Sequence, residues 1–214
     1  MSTANAVVDQ HHGGHDDHHG HEEHSFTGIP SKKILMWAFL ASACTVFGTL
    51  SSTYIIYHGK SLIGPYPLEI LSIPVTTVSS FVLLASSLLM ALSVAAVNRN
   101  DLAKFRLWIF MTCLFGLIFL GFQSFEFTEF YHKGLTMSTN LFGSTFYTMT
   151  GTHGLHVALG VLWLISWFIY SFFGDMSDKA IDVEVAGLYW HFVDIVWIVI
   201  FTVIYLIEFV GVGA

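Results

Sequence analysis

Charged residues are scarce in this sequence. Asp, Glu, Lys and Arg together make up 11% of its 214 residues, whereas a soluble domain normally has about a quarter of its residues charged. Hydrophobic residues account for 54%, and the mean hydropathy is +0.67. This balance excludes an ordinary soluble domain and indicates a membrane protein.

Cysteines and basic clusters are scarce as well. The two cysteines, Cys44 and Cys113, fall in apolar segments and have no Cys-x-x-Cys or haem-attachment spacing. We therefore expect both to be buried structural thiols. No basic patch suggests a nucleic-acid partner. The net charge of −7 says little about partners, because five of the acidic residues lie within the first 30 positions.

Residues 1–30 form a polar, His-rich leader. It holds seven of the twelve histidines, mixed with Gly, Asp and Glu, and has no apolar period. Such a segment cannot bury enough surface to fold alone, so we predict a disordered leader that precedes a membrane domain at residues 31–214. A His-rich tract can also bind zinc, copper or nickel, which stays open as a second role. We expect no cleavable signal peptide, since no basic region precedes an apolar run here.

Long apolar segments fill the rest of the chain, each long enough to span a bilayer. Helix is the predicted structure, because only helices or closed barrels satisfy the backbone in lipid and no two-residue alternation indicates barrel strands. The sequence therefore predicts an all-α bundle of five transmembrane helices, with spans at about 33–58, 70–97, 105–131, 140–173 and 183–210.

The distribution of Lys and Arg predicts the orientation in the membrane. Six lie at the end of the bundle where the first helix begins, and two, Lys60 and Lys133, lie at the other end. The positive-inside rule places the N-terminus in the cytoplasm. Five crossings then place the C-terminus outside.

Small and hydroxyl residues form a stripe on each of the first two helices. In the first helix Ala41, Thr45, Thr49 and Thr53 are spaced by four, and in the second Ser72, Ser79, Ser86 and Ser93 are spaced by seven. Such stripes mark faces that pack against other helices rather than lipid.

Ionisable residues inside the apolar segments are the most informative feature. Three pairs recur at a spacing of three, which places both members on one helical face. They are Glu126 with Glu129, His153 with His156, and His191 with Asp194. Such groups are costly in a bilayer unless they face protein, water or one another.

These buried groups allow three interpretations. Histidines and carboxylates can ligate a metal or haem, and His153, His156, Asp194 and Glu126 could supply donors. An ion or proton path is the second interpretation. The third is an interhelical hydrogen-bond network, in which His191 and Asp194 each lower the cost of burying the other. Glycines at 151 and 154 favour the network, since they let another helix approach closely.

Three strings hold most of these ionisable residues of the last three spans, at 121–126, 152–157 and 190–197. Together they resemble subunit III of the haem-copper oxidases, the bacterial cytochrome c and quinol oxidases. Thr-His-Gly-Leu-His-Val at 152–157 resembles the fourth-helix signature of the short, five-helix form. Trp-His-Phe-Val-Asp-Ile-Val-Trp at 190–197 resembles the signature of the last helix, and Gly-Phe-Gln-Ser-Phe-Glu at 121–126 resembles a motif of the third span. The resemblance runs from about residue 33 to 210.

The resemblance implies a noncatalytic subunit in a bacterial plasma membrane. Haem and copper would belong to partner subunits I and II, while this chain would pack against subunit I, bind phospholipid and support proton uptake and durability. The positions that carry over as structural, lipid-related or proton-related residues are Glu126, His153, His156, His191 and Asp194. No catalytic, cofactor or metal residue carries over.

One position departs from the family pattern. The family's first helix usually bears a buried carboxylate a few residues after a Trp-x-Phe-Leu string. Here that string is at 37–40, and we align Ala43 with the acidic position. Roles that rest on that carboxylate therefore do not carry over to this chain.

The leading hypothesis is an accessory subunit of a proton-pumping terminal oxidase that reduces oxygen to water. Cytochrome c is the favoured donor, because the string at 134–140 looks more like the cytochrome oxidase versions. A quinol oxidase and a small subunit accompanying nitric oxide reductases are alternatives. A metal-ion transporter, suggested by the leader, is the alternative from another class, although it would need ligands converging from several helices.

Overall fold

A computed structural model describes residues 30–60, 73–176 and 178–206, and it contains five long α-helices in these ranges. All five are long and apolar enough to cross a membrane, which confirms the predicted all-α fold class. They are α1 (Ser31–Tyr57), α2 (Ile73–Asn98), α3 (Leu102–His132), α4 (Leu141–Phe173) and α5 (Ala180–Phe201), the last continued by a π-helical turn at Thr202–Leu206.

The predicted spans agree with the helices except at two N-terminal ends. Three predictions lie outside the described residues: the span limits at 70 and 210 and the leader before Pro30. Helices α3 and α5 each begin three residues before the predicted span. Apolarity marks only the part of a helix in the membrane, whereas caps mark its start. Asp101 caps α3 by accepting a hydrogen bond from the Lys104 backbone N–H at 3.1 Å. Hydrogen bonds from the Lys104 side chain and backbone lower the pKa of the Asp101 carboxyl.

Helix α5 lies at the centre of the bundle. It packs against α1, α2 and α4, while α3 packs between α2 and α4. In its most apolar stretch 56% of the residues are buried, compared with 17% in α1. Helix α1 is therefore peripheral, and most of its surface is available to lipid or to another protein.

One expectation for α1 is wrong, and a second is not met within this chain. Cys44 is exposed, and only Cys113 is buried as predicted. The stripe from Ala41 to Thr53 lies outside the face that α1 buries, which is formed by Leu40, Ala43, Phe47, Ser51 and Tyr54. The larger side chains of that face fill the contact with α4 and α5, and the threonines instead hydrogen-bond to carbonyls of their own helix.

The stripe on α2 does pack as predicted. Ser79, Ser86 and Ser93 are all buried, and Ser72 lies outside the described residues. At Ser86 the stripe faces α5, because the Trp190 indole N–H donates to the Ser86 hydroxyl at 3.0 Å.

The Trp190 side chain of α5 is fully buried where four helices meet. It fits against two glycines on neighbouring helices: a Cβ added at Gly116 of α3 would lie 2.8 Å from its ring, and one added at Gly160 of α4 would lie 3.0 Å from it. These glycines therefore allow the three helices to approach closely enough to enclose an indole.

We expect Gly116→Ala to destabilise the subunit by about 1–3 kcal/mol, because the added methyl overlaps Val161 and Trp190 in a filled core. Gly121→Ala is the matched control on the same helix, where an added Cβ meets nothing within 4 Å. The thermal midpoint in detergent should fall for the first variant and stay the same or rise for the second. Equal midpoints would contradict the proposed packing.

Candidate functional site

Glu126 is buried at the end of the bundle where α3 finishes. Its side chain is 4% exposed, and its carboxylate accepts a hydrogen bond from the hydroxyl of Thr76 at the start of α2. Tyr205 of the π-helical turn lies close to both residues. Glu129 instead forms an ion pair with Lys133 at 2.7 Å nearer the surface. Only Glu126 of this pair is therefore buried inside the bundle, and it links α2 to α3.

His153 is enclosed by aromatic rings. It is fully buried, and its ring stacks on Trp197 of α5 with centroids 4.9 Å apart. Phe119 and Phe47 make edge contacts with it. Neither ring nitrogen has a hydrogen-bond partner among the described residues. His153 therefore contributes to packing between α4 and α5 rather than to a hydrogen bond.

His156 has different surroundings from His153, although the two lie one turn apart. Its Nδ1 lies 2.8 Å from the Thr152 carbonyl of the same helix. Its own backbone carbonyl accepts a hydrogen bond from the Tyr189 hydroxyl at 2.9 Å. The predicted link between α4 and α5 is present here, but the backbone of His156 makes it.

His191 and Asp194 do not form the direct pair that their spacing suggested. The His191 Nδ1 is 2.6 Å from the hydroxyl of Ser87 on α2. The Ser87 hydroxyl also lies near the Asp194 carboxyl, yet neither Asp194 oxygen has a hydrogen-bond partner among the described residues. Both α5 side chains lean toward the neighbouring helix, so the serine separates them.

A row of serines on α2 receives the polar groups of α5. The Trp190 indole N–H donates to Ser86 at 3.0 Å, and the Trp197 indole N–H donates to Ser80 at 2.8 Å. From Ser80 to Ser86 the partner on α5 moves back from Trp197 to Trp190, as expected for an antiparallel pair, and Ser87 with His191 lies beside the second bond. Ser86 was predicted from the sequence as a packing residue, whereas Ser80, Ser87 and Thr76 were not predicted as hydrogen-bond partners. The seven-residue spacing of Trp190 and Trp197 is close to the six-residue spacing of Ser80 and Ser86, and it was a signal that could have found Ser80.

Gln123 joins α3 to α4. Its side-chain amide donates to the Thr150 carbonyl at 2.7 Å. A Cβ added at Gly154 would lie 2.7 Å from the Gln123 Oε1, so this glycine does permit a close approach, as predicted. A Cβ added at Gly151 would meet nothing within 4 Å, so the same expectation for that residue is wrong within this chain.

The five predicted site residues therefore lie in three places, and the structure does not bring them together. Glu126 is near the end of the bundle where α3 finishes. His153 and His156 line the contact among α1, α4 and α5, while His191 and Asp194 face α2. The described residues include no group of three His, Cys, Asp or Glu side chains that could hold a metal ion. The functional roles assigned to the five stay predictions.

Comparison with known proteins gives one consistent family. The family model described as cytochrome c oxidase subunit III matches residues 32–209. Cytochrome c oxidase subunit 3 of Bacillus sp. (strain PS3) is 38% identical over 182 residues, which cover 85% of this chain and 88% of the relative. The protein of the same name from Alkalihalophilus pseudofirmus is 36% identical over 90% of this chain and 93% of the relative.

Another similar protein is named as a subunit of a quinol oxidase rather than of a cytochrome c oxidase. "Probable quinol oxidase subunit 3" of Staphylococcus saprophyticus is 34% identical over 85% of this chain and 91% of the relative. The matches cover all five helices and the strings at 121–126, 152–157 and 190–197. The chain belongs to the cytochrome c oxidase subunit III family.

Proposed function

We propose that this chain is the noncatalytic third subunit of a proton-pumping respiratory oxidase that reduces oxygen to water, with cytochrome c as the electron donor. It is a multi-pass bacterial membrane protein and a subunit of a terminal oxidase complex, and it associates with other oxidase subunits. In this proposal oxygen is reduced in subunits I and II, which would hold haem and copper. This chain would stabilise subunit I.

The surroundings of the buried ionisable groups support a noncatalytic role. The described surroundings of His153 are aromatic, His156 bonds within its own helix, and Glu126 is bonded to Thr76. A metal or haem site needs several donors directed at one point. Here the groups have separate contacts instead: His153 packs against α5, and Glu126 bonds to α2, as in interhelical packing.

The donor is proposed from sequence similarity. The relatives include proteins named for cytochrome c oxidase and for quinol oxidase, at 38% and 34% identity. The string at 134–140 favours cytochrome c, and a quinol oxidase is the alternative. A metal-ion transporter is not favoured, because the family match accounts for the helical region and leaves only the His-rich leader to support it.

A groove formed by α1, α4 and α5 supports the proposed binding of phospholipid. It has a volume of about 540 Å³, and its apolar wall includes Phe39, Trp163 and Trp167. At its rim Lys32 and Asp182 form an ion pair at 2.6 Å. An apolar wall below a rim with both charge signs suits the chains and the zwitterionic head group of a phospholipid.

The proposed orientation places the N-terminus in the cytoplasm. The antiparallel course of the helices brings six basic residues to one end of the bundle: Lys32, Lys33, Arg99, Lys104, Arg106 and Lys179. The positive-inside rule assigns this end to the cytoplasm.

A tagged copy of the full chain tests the proposed function. Affinity purification from mild detergent should recover further subunits and a haem absorption spectrum. After those subunits are removed, metal analysis of this chain without residues 1–30 should find neither haem nor copper in stoichiometric amounts. Recovery of the chain alone would contradict the complex, and stoichiometric haem or copper in the isolated chain would contradict the noncatalytic role.

We expect deletion of residues 1–30 to leave assembly and oxygen consumption essentially unchanged, because the leader has few apolar residues and no apolar period with which to dock. The amount of assembled complex and its rate of oxygen reduction would be measured with and without the leader. A large loss of assembled complex would show that the leader makes a structural contact or handles copper.

A further inference from the structure

A groove of about 320 Å³ lies between α2 and α5 at the end of the bundle where α5 begins. Most of its lining is apolar: Ala91, Val94, Gly187 and Leu188. Its other lining residues are the ion pair of Lys33 with Glu184, at 2.5 Å, and His191. Glu184 and His191 are two turns apart on α5, about 10 Å along the helix axis. The groove therefore extends from a charged surface to an imidazole within the bundle.

His191 uses one ring nitrogen inside the bundle and leaves the other toward the groove. Nδ1 lies 2.6 Å from the Ser87 hydroxyl. The ring also lines the groove, and its Nε2 is not among the buried nitrogens without partners. An imidazole with one nitrogen toward a groove and one on a hydroxyl can accept a proton on one side and release one on the other.

Asp194 is the group at the inner side of Ser87. Its side chain is 3% exposed, and both of its oxygens lack hydrogen-bond partners among the described residues. Ser87 lies close to the carboxyl, but its single proton can be donated to only one acceptor at a time. A buried carboxylate without a partner is costly in a membrane, and binding a proton removes that cost.

We propose that the α2–α5 groove is a hydrated entry by which protons from the Lys33 end reach His191, and that Ser87 passes them between His191 and Asp194. Asp194 is then a protonatable site that exchanges with one side of the membrane. The inference deepens the proposed function, on which it rests, by naming a proton-handling route in this chain.

The proton transfer balances without any other reactant. Water in the groove gives a proton to Nε2 of His191, the proton on Nδ1 passes to the Ser87 oxygen, and the Ser87 hydroxyl proton passes to the Asp194 carboxylate. Nδ1–H becomes Nε2–H, so the imidazole stays neutral, and the water is left as hydroxide that the aqueous phase neutralises. Release of the proton from Asp194 runs the same steps in reverse, through Ser87 to Nδ1 and from Nε2 to the groove, and this restores the first tautomer.

Few charged groups face this route. Lys33 of α1 and Glu184 of α5 line the groove and neutralise each other. From α2, Asn98 donates to Glu184 at 3.1 Å, and it carries no charge. The groove is thus electrically balanced at its mouth, and Asp194 is the one acidic side chain that the route reaches at its inner end among the described residues.

Infrared spectroscopy of the intact purified complex tests the relay. A protonated Asp194 gives a carboxyl C=O band that Asp194→Asn removes. Transfer into deuterated water shifts this band, and the shift reports proton exchange. Ser87→Ala should slow the exchange by on the order of tenfold or more, because the carboxyl must then wait for a local opening of the bundle. Ser87→Thr keeps the hydroxyl and should restore the rate.

Ser86→Ala is the matched control on the adjacent residue. It removes the hydrogen bond from Trp190 but leaves the relay, so the exchange rate should not change. The proposal is overturned if Asp194→Asn removes no carboxyl band, or if exchange in Ser87→Ala is as fast as in the unmodified chain.

Cysteine labelling tests the hydrated groove. In a Cys44→Ser, Cys113→Ala background, Ala91→Cys in the groove should react with a charged, membrane-impermeant thiol reagent, because only a hydrated cysteine ionises readily. Phe110→Cys is the control, since Phe110 lies at similar depth on the apolar outer surface of α3 and is 45% exposed. Equal labelling of the two, or none at Ala91→Cys, would overturn the hydrated entry.

The haem spectrum of the same preparation separates the two proposals. Absence of haem contradicts the proposed function even where exchange at Asp194 follows the serine variants. Presence of haem without a protonated Asp194 contradicts only the relay.

Discussion

We expect Trp190→Ala to destabilise the subunit by about 3–5 kcal/mol, the usual cost of removing a large buried aromatic side chain. Trp190 is fully buried against Gly116 and Gly160, which cannot fill the space that its ring would leave. The change also removes the hydrogen bond to Ser86. One substitution therefore weakens the contacts of α5 with α2, α3 and α4 together.

Trp37→Ala is the control for this result. It makes the same chemical change at a side chain that is 61% exposed on α1. The yield of monodisperse subunit in detergent and the thermal midpoint should fall sharply for Trp190→Ala and little for Trp37→Ala. Trp190→Phe should lie between them, since it keeps most of the ring and loses a hydrogen bond worth about 1 kcal/mol in a membrane. Similar midpoints for both alanine variants would show that Trp190 does not hold the bundle together.

The number and type of helices could be predicted from the sequence because the bilayer imposes both. Each span needs a long apolar run, and the backbone in lipid must be helical. The helix starts at Leu102 and Ala180 could not be found in this way, because they depend on polar caps and ion pairs. Asp101 caps α3, and Asp182 in the first turn of α5 forms an ion pair with Lys32.

The burial of Glu126, His153 and Asp194 inside the bundle could also be predicted, but the partners of the ionisable residues could not. Spacing within one helix correctly places His191 and Asp194 on one face. It does not show that α2 supplies a hydroxyl between them, because that depends on which helices are neighbours and on their relative register. The partner of His191 proved to be Ser87, which lies 104 positions away.

The exposed face of α1 shows a second property that the sequence alone does not predict, namely which helix a packing face contacts. Small residues mark a packing face, but the sequence does not say whether the partner helix belongs to the same chain. Ala41 and Thr45 lie on the exposed surface of α1, whereas the serines of α2 are buried within the bundle. The same pattern therefore describes an internal contact on one helix and a surface on another.

We expect His153→Phe and His153→Ala to change stability in opposite directions. Alanine leaves a cavity beside Trp197 and Phe119 and should cost about 2–5 kcal/mol. Phenylalanine keeps the aromatic contacts and removes two ring nitrogens that have no partners among the described residues. Removing unpaired buried polar groups should stabilise by about 1–3 kcal/mol, less any misfit of the larger ring.

His156→Phe is the matched control one turn away, because the Nδ1 of His156 already lies 2.8 Å from the Thr152 carbonyl and its removal should bring no gain. Thermal midpoints of the purified complex and its rates of oxygen reduction and proton uptake would be measured for all three variants. A stable His153→Phe complex with unchanged rates would assign His153 to packing. A stable complex with slower proton uptake would assign it to proton handling. A midpoint of His153→Phe as low as that of His153→Ala would instead show that the imidazole nitrogens need a polar partner. Phe47, Phe119 and Trp197, which enclose the ring, do not provide one.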